Sequence, residues 1–531
     1  MNLFSILSFV VIISCVWLFA YKRSRGVSVD GAEGFFMGGR SLTALPIAGS
    51  IIMTNLSTEQ IVGQNGQSYV AGMEVMAWEV TSAIAIVMLA SVFLPKYLKY
   101  GINTVSDFIE IRYDTQIKRI ISALFIITYI TSFLPVVLYS GSLVFNKIFR
   151  IDELLGIRPI TSIIVVSLAI GVIGILYLLI GGLRLSAYSD TVYGFGLLAC
   201  GLLIPTIGIT MLGNGSFIGG IDHIVDNTPW LLNSVGSIDS AIVPWPTLLT
   251  GMMFNNLYFW CTNQMIVQKA LAGKNLAEAQ KGVFIVGFFK VFGALFLVFP
   301  GIVARNIFGD TLMGMPDDAY PTLVTHVLPE MIYGVFAAVI FGAILSSFSG
   351  ALNATSTLLS LDFYKPVFNK QATDHDITRF GKKITIAIGL LSIFISPLIS
   401  FAPAGLYQFV QEFNGLYNMP LLVIILLAFY SKKATAFAAK VTIYLHIILY
   451  ALSKVVLKDV HFLYVLSVLF FLDMLVMFVV SKLKPDGDFE LKVFNTKVDI
   501  TPWKHTKLVS VITILVVVFT YLMFSPLGIA R

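Results

Sequence analysis

Apolar runs of roughly twenty residues, separated by short segments that gather the charge, recur along the whole 531-residue chain. A run of that length spans a bilayer core as a helix, and lipid leaves no other way for a single segment to satisfy its own backbone. About fourteen such runs begin near residues 3, 42, 73, 119, 159, 185, 243, 281, 332, 380, 404, 434, 459 and 508. Only 12% of residues are charged, against about 25% in a soluble domain. The expectation is an all-α polytopic membrane protein of about fourteen transmembrane helices, with the bilayer as its main surroundings.

The net charge of +6 does not point to nucleic acid, because the basic residues alternate with the runs. Lys96, Lys99, Arg112, Lys118 and Arg119 fall in one set of loops, as do Arg184, then Lys269, Lys274 and Lys281, then Lys365, Lys370, Arg379, Lys382 and Lys383, then Lys432 and Lys433, and six lysines at 482–507. The intervening loops at 214–242 and 401–405 have none. Lys147, Arg150, Arg158, Arg305, Lys454 and Lys458 depart from the pattern. Basic residues favour the cytoplasmic side, so both termini are expected outside, in the plasma (bacterial inner) membrane. The first run precedes "YKRSR" and has no basic residue before it, the reverse of a cleaved signal. Cys15, Cys200 and Cys261 lie inside apolar runs, and the six histidines are scattered, so neither a disulfide frame nor a metal site is expected.

Polar groups inside such runs usually face a cavity or another helix. They are densest in "SIIMTNLSTEQIVGQNG" (50–66), where Asn55, Ser57, Thr58, Glu59 and Gln60 are nearly consecutive and so point all round a helix. No one face can bury them. A discontinuous helix solves this, since unwound carbonyls can bind a cation while side chains face a cavity. Glu79 and Ser82 follow in the next run; Asn255, Asn256, Thr262, Asn263 and Gln264 interrupt the run from 243; Lys290, Ser346, Ser347, Ser349, Gln408, Gln411, Glu412 and Asn414 complete the set. An isolated serine usually bonds its own helix, and amides join helices. Glu79 and Lys290, ionisable and mid-run, each cost several kcal/mol unless paired or hydrated. Asp190 and Glu278 lie near inside ends, as interfacial groups. The interruptions at 55–62 and 255–267 each fall in the first run of a block of five, 42–213 and 243–430. Matching interruptions mark an inverted repeat, and an odd number of runs per block inverts the second block.

"TNLSTEQIVG", "GGLRLSAYSD", "NQMIVQKALAGKNLAEAQKG", "AILSSFSGALNATSTLLSLDFY" and "LYQFVQEFNGLYNMP" together resemble the sodium:solute symporter family, and within it the bacterial sodium–galactose and vertebrate sodium–glucose branch. The resemblance covers nearly the whole chain. It implies an amino-acid-transporter-type five-plus-five inverted-repeat core, one helix before it (1–41) and three after it (431–531), in a single membrane domain 1–531. It implies Na⁺ as coupling ion, with no organic cofactor, and a small sugar as substrate. By motif match the ion site uses carbonyls of Met53, Leu56 and Ala343 with hydroxyls of Ser346 and Ser347. The matching sugar contacts are Gln60, Glu79, Ser82, Lys290 and Gln411, with Asn55 and Gln64 as further candidates. Trp78, Phe133, Tyr258, Phe259 and Tyr407 would form aromatic gates, and Asp190 and Asn256 would join helices or assist. Two positions depart from the branch: Phe133 stands where a sugar-contacting Asn is expected, and Phe259 where a gate Tyr is, with Tyr258 adjacent. A sugar other than galactose is therefore open. Other readings are a Na⁺-coupled carrier of an amino acid, carboxylate or urea, and a transporter-derived sensor or channel. No nucleophile–base pair marks an enzyme.

Overall fold

The computed structural model describes residues 3–25, 31–401, 405–490 and 498–530, and its regular elements are helices. The loop at 401–405 and the lysine-rich segment at 482–507 thus lie partly outside the described residues. The chain enters with Leu3–Ser24 (α1). The next run is split into Ala44–Asn55 (α2) and Thr58–Ala71 (α3), with Leu56 (φ −82°, ψ 61°) and Ser57 (φ −80°, ψ 170°) out of helical conformation between them. A helical segment at 72–99 with tighter and wider turns follows, then Thr115–Phe149 (α4) and the 54-residue Pro159–Leu212 (α5). The run from 243 is also split, into Gly251–Thr262 (α6) and Gln264–Leu271 (α7), with Asn263 (φ −70°, ψ 126°) between. Leu276–Leu297 (α8), Tyr333–Leu358 (α9), Asp374–Ile395 (α10), Leu406–Asn414 (α11), Asn418–Tyr430 (α12), Ala436–Val456 (α13), Phe462–Leu483 (α14) and Thr506–Met523 (α15) follow, with shorter helical pieces such as Phe299–Phe308 and Ala319–Val327 between the main helices.

Side-chain caps fix several helix starts. Asn263 Oδ1 accepts from Met265 N at 3.0 Å, Asn275 Oδ1 from Glu278 N at 2.8 Å, and Thr435 Oγ1 from Ala438 N at 3.2 Å, each satisfying a backbone donor that its helix leaves over.

Among the described residues ten helices are long and apolar enough to cross a membrane, or eleven if the pair α11–α12, bent by 48°, is one span. The expected count of fourteen is not met, for two physical reasons. Two broken runs leave pieces too short to qualify: α2 and α6 have 12 residues each and α7 has 8. Elsewhere two expected runs join into one helical element. Straight, the 54 residues of α5 would reach about 80 Å, far beyond a bilayer. Instead Tyr177 donates to Ser189, twelve residues on, which a straight helix would hold about 18 Å away. The chain folds back between them at Gly182 (φ 54°, ψ −155°). Gln64 likewise reaches Glu79, fifteen residues on, at 2.9 Å, because the chain turns at Gly72 (φ 71°).

The core is centred on α2, which packs between α5 and α8, while α9 packs along α5 and α2. The apolar windows of α1 and α15 are only 17% buried, against 78% for the segment Thr58–Lys99, so these terminal helices form the periphery. The break in α2–α3 sits inside.

The fold at Gly182 gives a first prediction. Its backbone lies in a region essentially restricted to glycine, and a Cβ there would stand 2.7 Å from the Phe35 carbonyl oxygen. Gly182→Ala should destabilise the protein by about 1–3 kcal/mol, read as a lower melting temperature in detergent; an unchanged melting temperature would contradict the turn.

Candidate functional site

Leu56 N donates to Ile52 O at 2.7 Å, the last backbone bond of α2. The carbonyls that follow turn sideways. Ser347 Oγ on α9 lies 3.1 Å from Met53 O and 3.0 Å from Thr54 O, and Ser346 Oγ lies 3.2 Å from Thr54 Oγ1. Ala343 is buried one turn earlier on α9, and Leu56 is buried in the break. Met53, Ser346 and Ser347 are thus brought together as the sequence suggests. On the other side, Thr58 Oγ1 at the start of α3 lies 2.9 Å from Ser140 Oγ of α4.

A charge pair behind this crossing departs from the sequence reading. Lys269, expected in an inside loop, is buried at the end of α7, because Asp190 supplies a counter-charge inside the fold. Its Nζ donates to Ser50 O at 3.0 Å and to Thr54 Oγ1, and stands 3.7 Å from Asp190 Oδ2. Asp190, read as interfacial, is buried too, and accepts from Ser50 Oγ at 3.0 Å and Ser186 Oγ at 3.2 Å. It joins α2, α5 and α7, which is the helix-joining alternative.

A second buried pair lies on the far side of the break. Glu79, fully buried, is ion-paired with Lys290 of α8 and accepts from Gln60 Nε2 and, at 2.9 Å, from Gln64 Nε2. Lys290 Nζ also donates to Asn55 Oδ1 at 2.7 Å and stands 5.4 Å from the centre of the Trp260 ring. Two ionisable groups that are each costly alone therefore share one polar network spanning both halves of the broken helix.

A cavity of about 40 Å³ opens beside this network. Of the residues expected there, Asn55, Gln60, Lys290, Gln411, Trp78, Phe133, Phe259 and Tyr407 line it, and so does Asn256, expected as a helix-joining or accessory residue. Gln411 Oε1 accepts from Asn255 Nδ2 at 3.1 Å, and Trp78 meets Tyr407 edge to face at 5.2 Å. Asn256 Nδ2 also donates to Thr81 Oγ1 at 2.7 Å, joining α6 to the 72–99 segment. Gln64 and Glu79 stand behind the lining, holding it. Ser82 and Tyr258 do not line it: the Ser82 hydroxyl bonds the Glu79 carbonyl in its own helix, and the Tyr258 ring packs edge-on against Tyr417 at 5.8 Å. The sequence reading did not assign Thr54, Glu59, Tyr129, Asn255, Trp260 or Asn263 to the lining. Polarity inside an apolar run marks Asn255 and Asn263, whereas Tyr129 and Trp260 carry no such signal. Glu59 Oε2 and Trp78 Nε1 are buried with no hydrogen-bond partner. An acceptor and a donor therefore remain free at one cavity.

Residues 35–443 match the sequence profile described as "Sodium:solute symporter family". The chain is 41% identical, over 99% of its length and 92% of the relative's, to the "Uncharacterized symporter YidK" of Escherichia coli (strain K12). The chain belongs to the sodium:solute symporter family. It is also 29% identical to the "Sodium/glucose cotransporter" of Vibrio parahaemolyticus, covering 81% of this chain and 80% of that one. Its fold resembles that of a Na⁺-coupled sialic acid symporter in a substrate-bound outward-open state, with a TM-score of 0.76 at 19% identity over 92% of this chain and 100% of that one. It also resembles Mhp1, a nucleobase-cation-symport-1 family transporter, with a TM-score of 0.56 at 14% identity over 86% and 97%. This sodium:solute symporter is an integral membrane protein of the inverted-repeat transporter architecture. It is a Na⁺-coupled secondary transporter of a small polar solute, not an enzyme.

The Glu79–Lys290 pair gives the second prediction. Removing one partner of a buried pair costs about 3–5 kcal/mol, because the other charge stays behind. Glu79→Gln and Lys290→Met should each lower stability by that amount in detergent unfolding, and the double variant should recover part of it. A double variant as unstable as the two losses summed would contradict the pairing.

Proposed function

We propose that this symporter imports a small sugar, a hexose or a close relative, with Na⁺. The observation that carries the reading is the chemistry of the lining: Lys290 neutralised from behind by Glu79, the amides of Asn55, Gln60 and Gln411, and the unpartnered Glu59 Oε2 and Trp78 Nε1. A sugar hydroxyl both donates and accepts, so it can meet a free carboxylate oxygen and a free indole N–H. The cation at the lining, Lys290, is already paired with Glu79, which favours a neutral sugar over an anionic solute. Likeness to the sodium/glucose cotransporter supports the same class.

Na⁺ is bound where Ser346 and Ser347 of α9 meet the broken helix, with the carbonyls of Met53, Leu56 and Ala343 completing an oxygen cage. The ion replaces the bonds that Ser347 makes to the Met53 and Thr54 carbonyls and so holds α2 against α9. The solute binds across the break at Asn55, Gln60, Lys290 and Gln411, supported from behind by Glu79 and Gln64. A space of about 40 Å³ holds a few waters and not a hexose. Trp78 and Tyr407 on one side, and Phe133 and Phe259 on the other, therefore part in turn to admit and release it. One Na⁺ crossing about 100 mV yields roughly 2.3 kcal/mol, and a tenfold gradient adds about 1.4 kcal/mol. Together these sustain roughly a 500-fold gradient of a neutral solute.

The reading extends to topology. Fourteen crossings, with inverted repeats at 42–213 and 243–430 flanked by 1–41 and 431–531, are supported by the folds at Gly72 and Gly182 and by the matching breaks. Both ends lie outside. Contacts from Ser5 Oγ to Glu330 O (2.6 Å) and from Ser234 N to Phe524 O (2.7 Å) support this, since each ties a terminal helix to a loop assigned outside by its neighbours' charge.

Proteoliposomes given a panel of labelled sugars, amino acids and carboxylates should take up a sugar only with an inward Na⁺ gradient. Uptake of an amino acid or carboxylate alone would overturn the substrate class, and uptake driven by protons without Na⁺ would overturn the ion. Ser347→Ala removes an oxygen from a charged ligand, a loss of about 1.5–3 kcal/mol. The half-saturating Na⁺ concentration should rise about tenfold or more; an unchanged value would reject this site.

A further inference from the structure

A buried histidine–carboxylate pair holds a third interruption of the core, the bend between α11 and α12. His446 lies near the middle of α13 and Asp473 near the middle of α14, both almost wholly buried. His446 Nδ1 stands 2.8 Å from Asp473 Oδ2, and its Nε2 stands 2.9 Å from the carbonyl oxygen of Gly415. Gly415 lies at the 48° bend between α11 and α12, the pair that carries Gln411 and Asn414 into the cavity lining. The same face of α13 grips this bend twice more: Tyr450 Oη donates to Glu412 O at 2.7 Å, and Lys454 Nζ donates to Glu412 Oε2 at 2.6 Å. The grip is close. A Cβ on Gly415 would fall 2.2 Å from Tyr450 Oη.

The donors and acceptors at this pair decide its protonation. A backbone carbonyl only accepts, so Nε2 must carry a hydrogen. An ionised carboxylate also only accepts, and a neutral imidazole has one N–H. A neutral His446 beside an ionised Asp473 can therefore make one of the two bonds but not both. With both in place, the pair holds one more proton, either as imidazolium and carboxylate or as imidazole and carboxylic acid. Each form leaves the pair neutral overall, as burial in the bilayer favours.

We infer that His446 and Asp473 form a proton-binding site that clamps the α11–α12 bend, so that loss of its proton loosens the helix presenting Gln411. When the proton leaves, one bond must go, and the Gly415 carbonyl or the Asp473 carboxylate is left unpaired in a buried place. The other charged groups on the packed elements do not replace it. On α13, Lys454 is paired with Glu412 of α11 and Lys440 with Asp114, and on α4, which also meets α13, Lys118 is paired with Asp107, Glu110 and Asp362. α14 carries only Lys482 besides Asp473, and α6 and α12 carry no charged residue. Tyr450, stacked on the His446 ring at 6.1 Å, is committed to Glu412 O. His446 and Asp473 act here as positioning residues, through the backbone of Gly415.

The test uses Asp473→Asn. An Asn amide can donate to Nδ1 while Nε2–H keeps the Gly415 carbonyl, so both bonds survive with no added proton. One hydrogen bond is worth about 1 kcal/mol, or about fivefold in an equilibrium. Na⁺-driven uptake by the wild-type protein, with equal pH on both sides, should fall about fivefold between pH 6 and pH 10, chiefly as a rise in KM for the solute. Asp473→Asn should abolish that alkaline fall, and His446→Gln, which keeps a donor to Gly415 and cannot titrate, should flatten it as well. The uptake arm rests on the transport reading. The melting temperature in detergent over the same pH range does not: it should drop for the wild type and hold level for Asp473→Asn. An equal alkaline fall in wild type and Asp473→Asn, or a wild-type profile flat to pH 10 in both readouts, overturns the proposal.

Discussion

A helix that stops in the middle of a bilayer strands carbonyl groups where no water can reach them. At Asn55 that happens inside the core, and much of the surrounding fold answers to it. Ser347 and Ser346 on α9 face the loose end of α2, Ser140 on α4 meets the start of α3, and Lys290 on α8 reaches Asn55. Three separate helices converge on one unwound dipeptide. Their side chains supply the oxygen and nitrogen atoms that a cation and a polar solute require, so what satisfies the break is also what can bind.

The two buried charge pairs sort themselves around that break. Asp190 and Lys269 lie behind α2, tied to it through Ser50 and Thr54. Glu79 and Lys290 lie across it, tied to α3 through Gln60 and Gln64. A buried pair is weak evidence for net stability, but the first pair ties α2 to α5 and α7, and the second ties both halves of the broken helix to α8, since Lys290 also reaches Asn55. The accessory helices α13 and α14 meet the bend between α11 and α12 in a similar way, with His446, itself bonded to Asp473, against the Gly415 carbonyl.

Much of this was legible in the residues. A run of consecutive polar side chains cannot lie on one helical face, so the break at Leu56–Ser57 follows from 50–66 alone, and two mid-run charges foreshadow Glu79 and Lys290 meeting. The family motifs added the oxygen cage, of which Met53, Ser346 and Ser347 come together in the fold. Lys269 was not legible, because a lysine closing an eight-residue half-helix looks like any loop cation until Asp190 is folded against it. Nor was the number of spanning helices, since the break at Asn263 leaves pieces of 12 and 8 residues and the runs from 159 and 185 join into one element that reverses at Gly182. Ser82 misleads for a simpler reason: its hydroxyl is used within its own turn. Tyr129 and Trp260 are ordinary apolar residues in sequence, and only packing turns them toward the cavity.

In the proposed mechanism one short break couples the ion site to the solute site. Calorimetric titration of the purified symporter with the transported solute at several Na⁺ concentrations, and with Na⁺ at several solute concentrations, tests it most directly. Coupling through a shared element is reciprocal. The account predicts that saturating Na⁺ tightens solute binding by the same factor by which saturating solute tightens Na⁺ binding. Affinities for either ligand that ignore the other would contradict it.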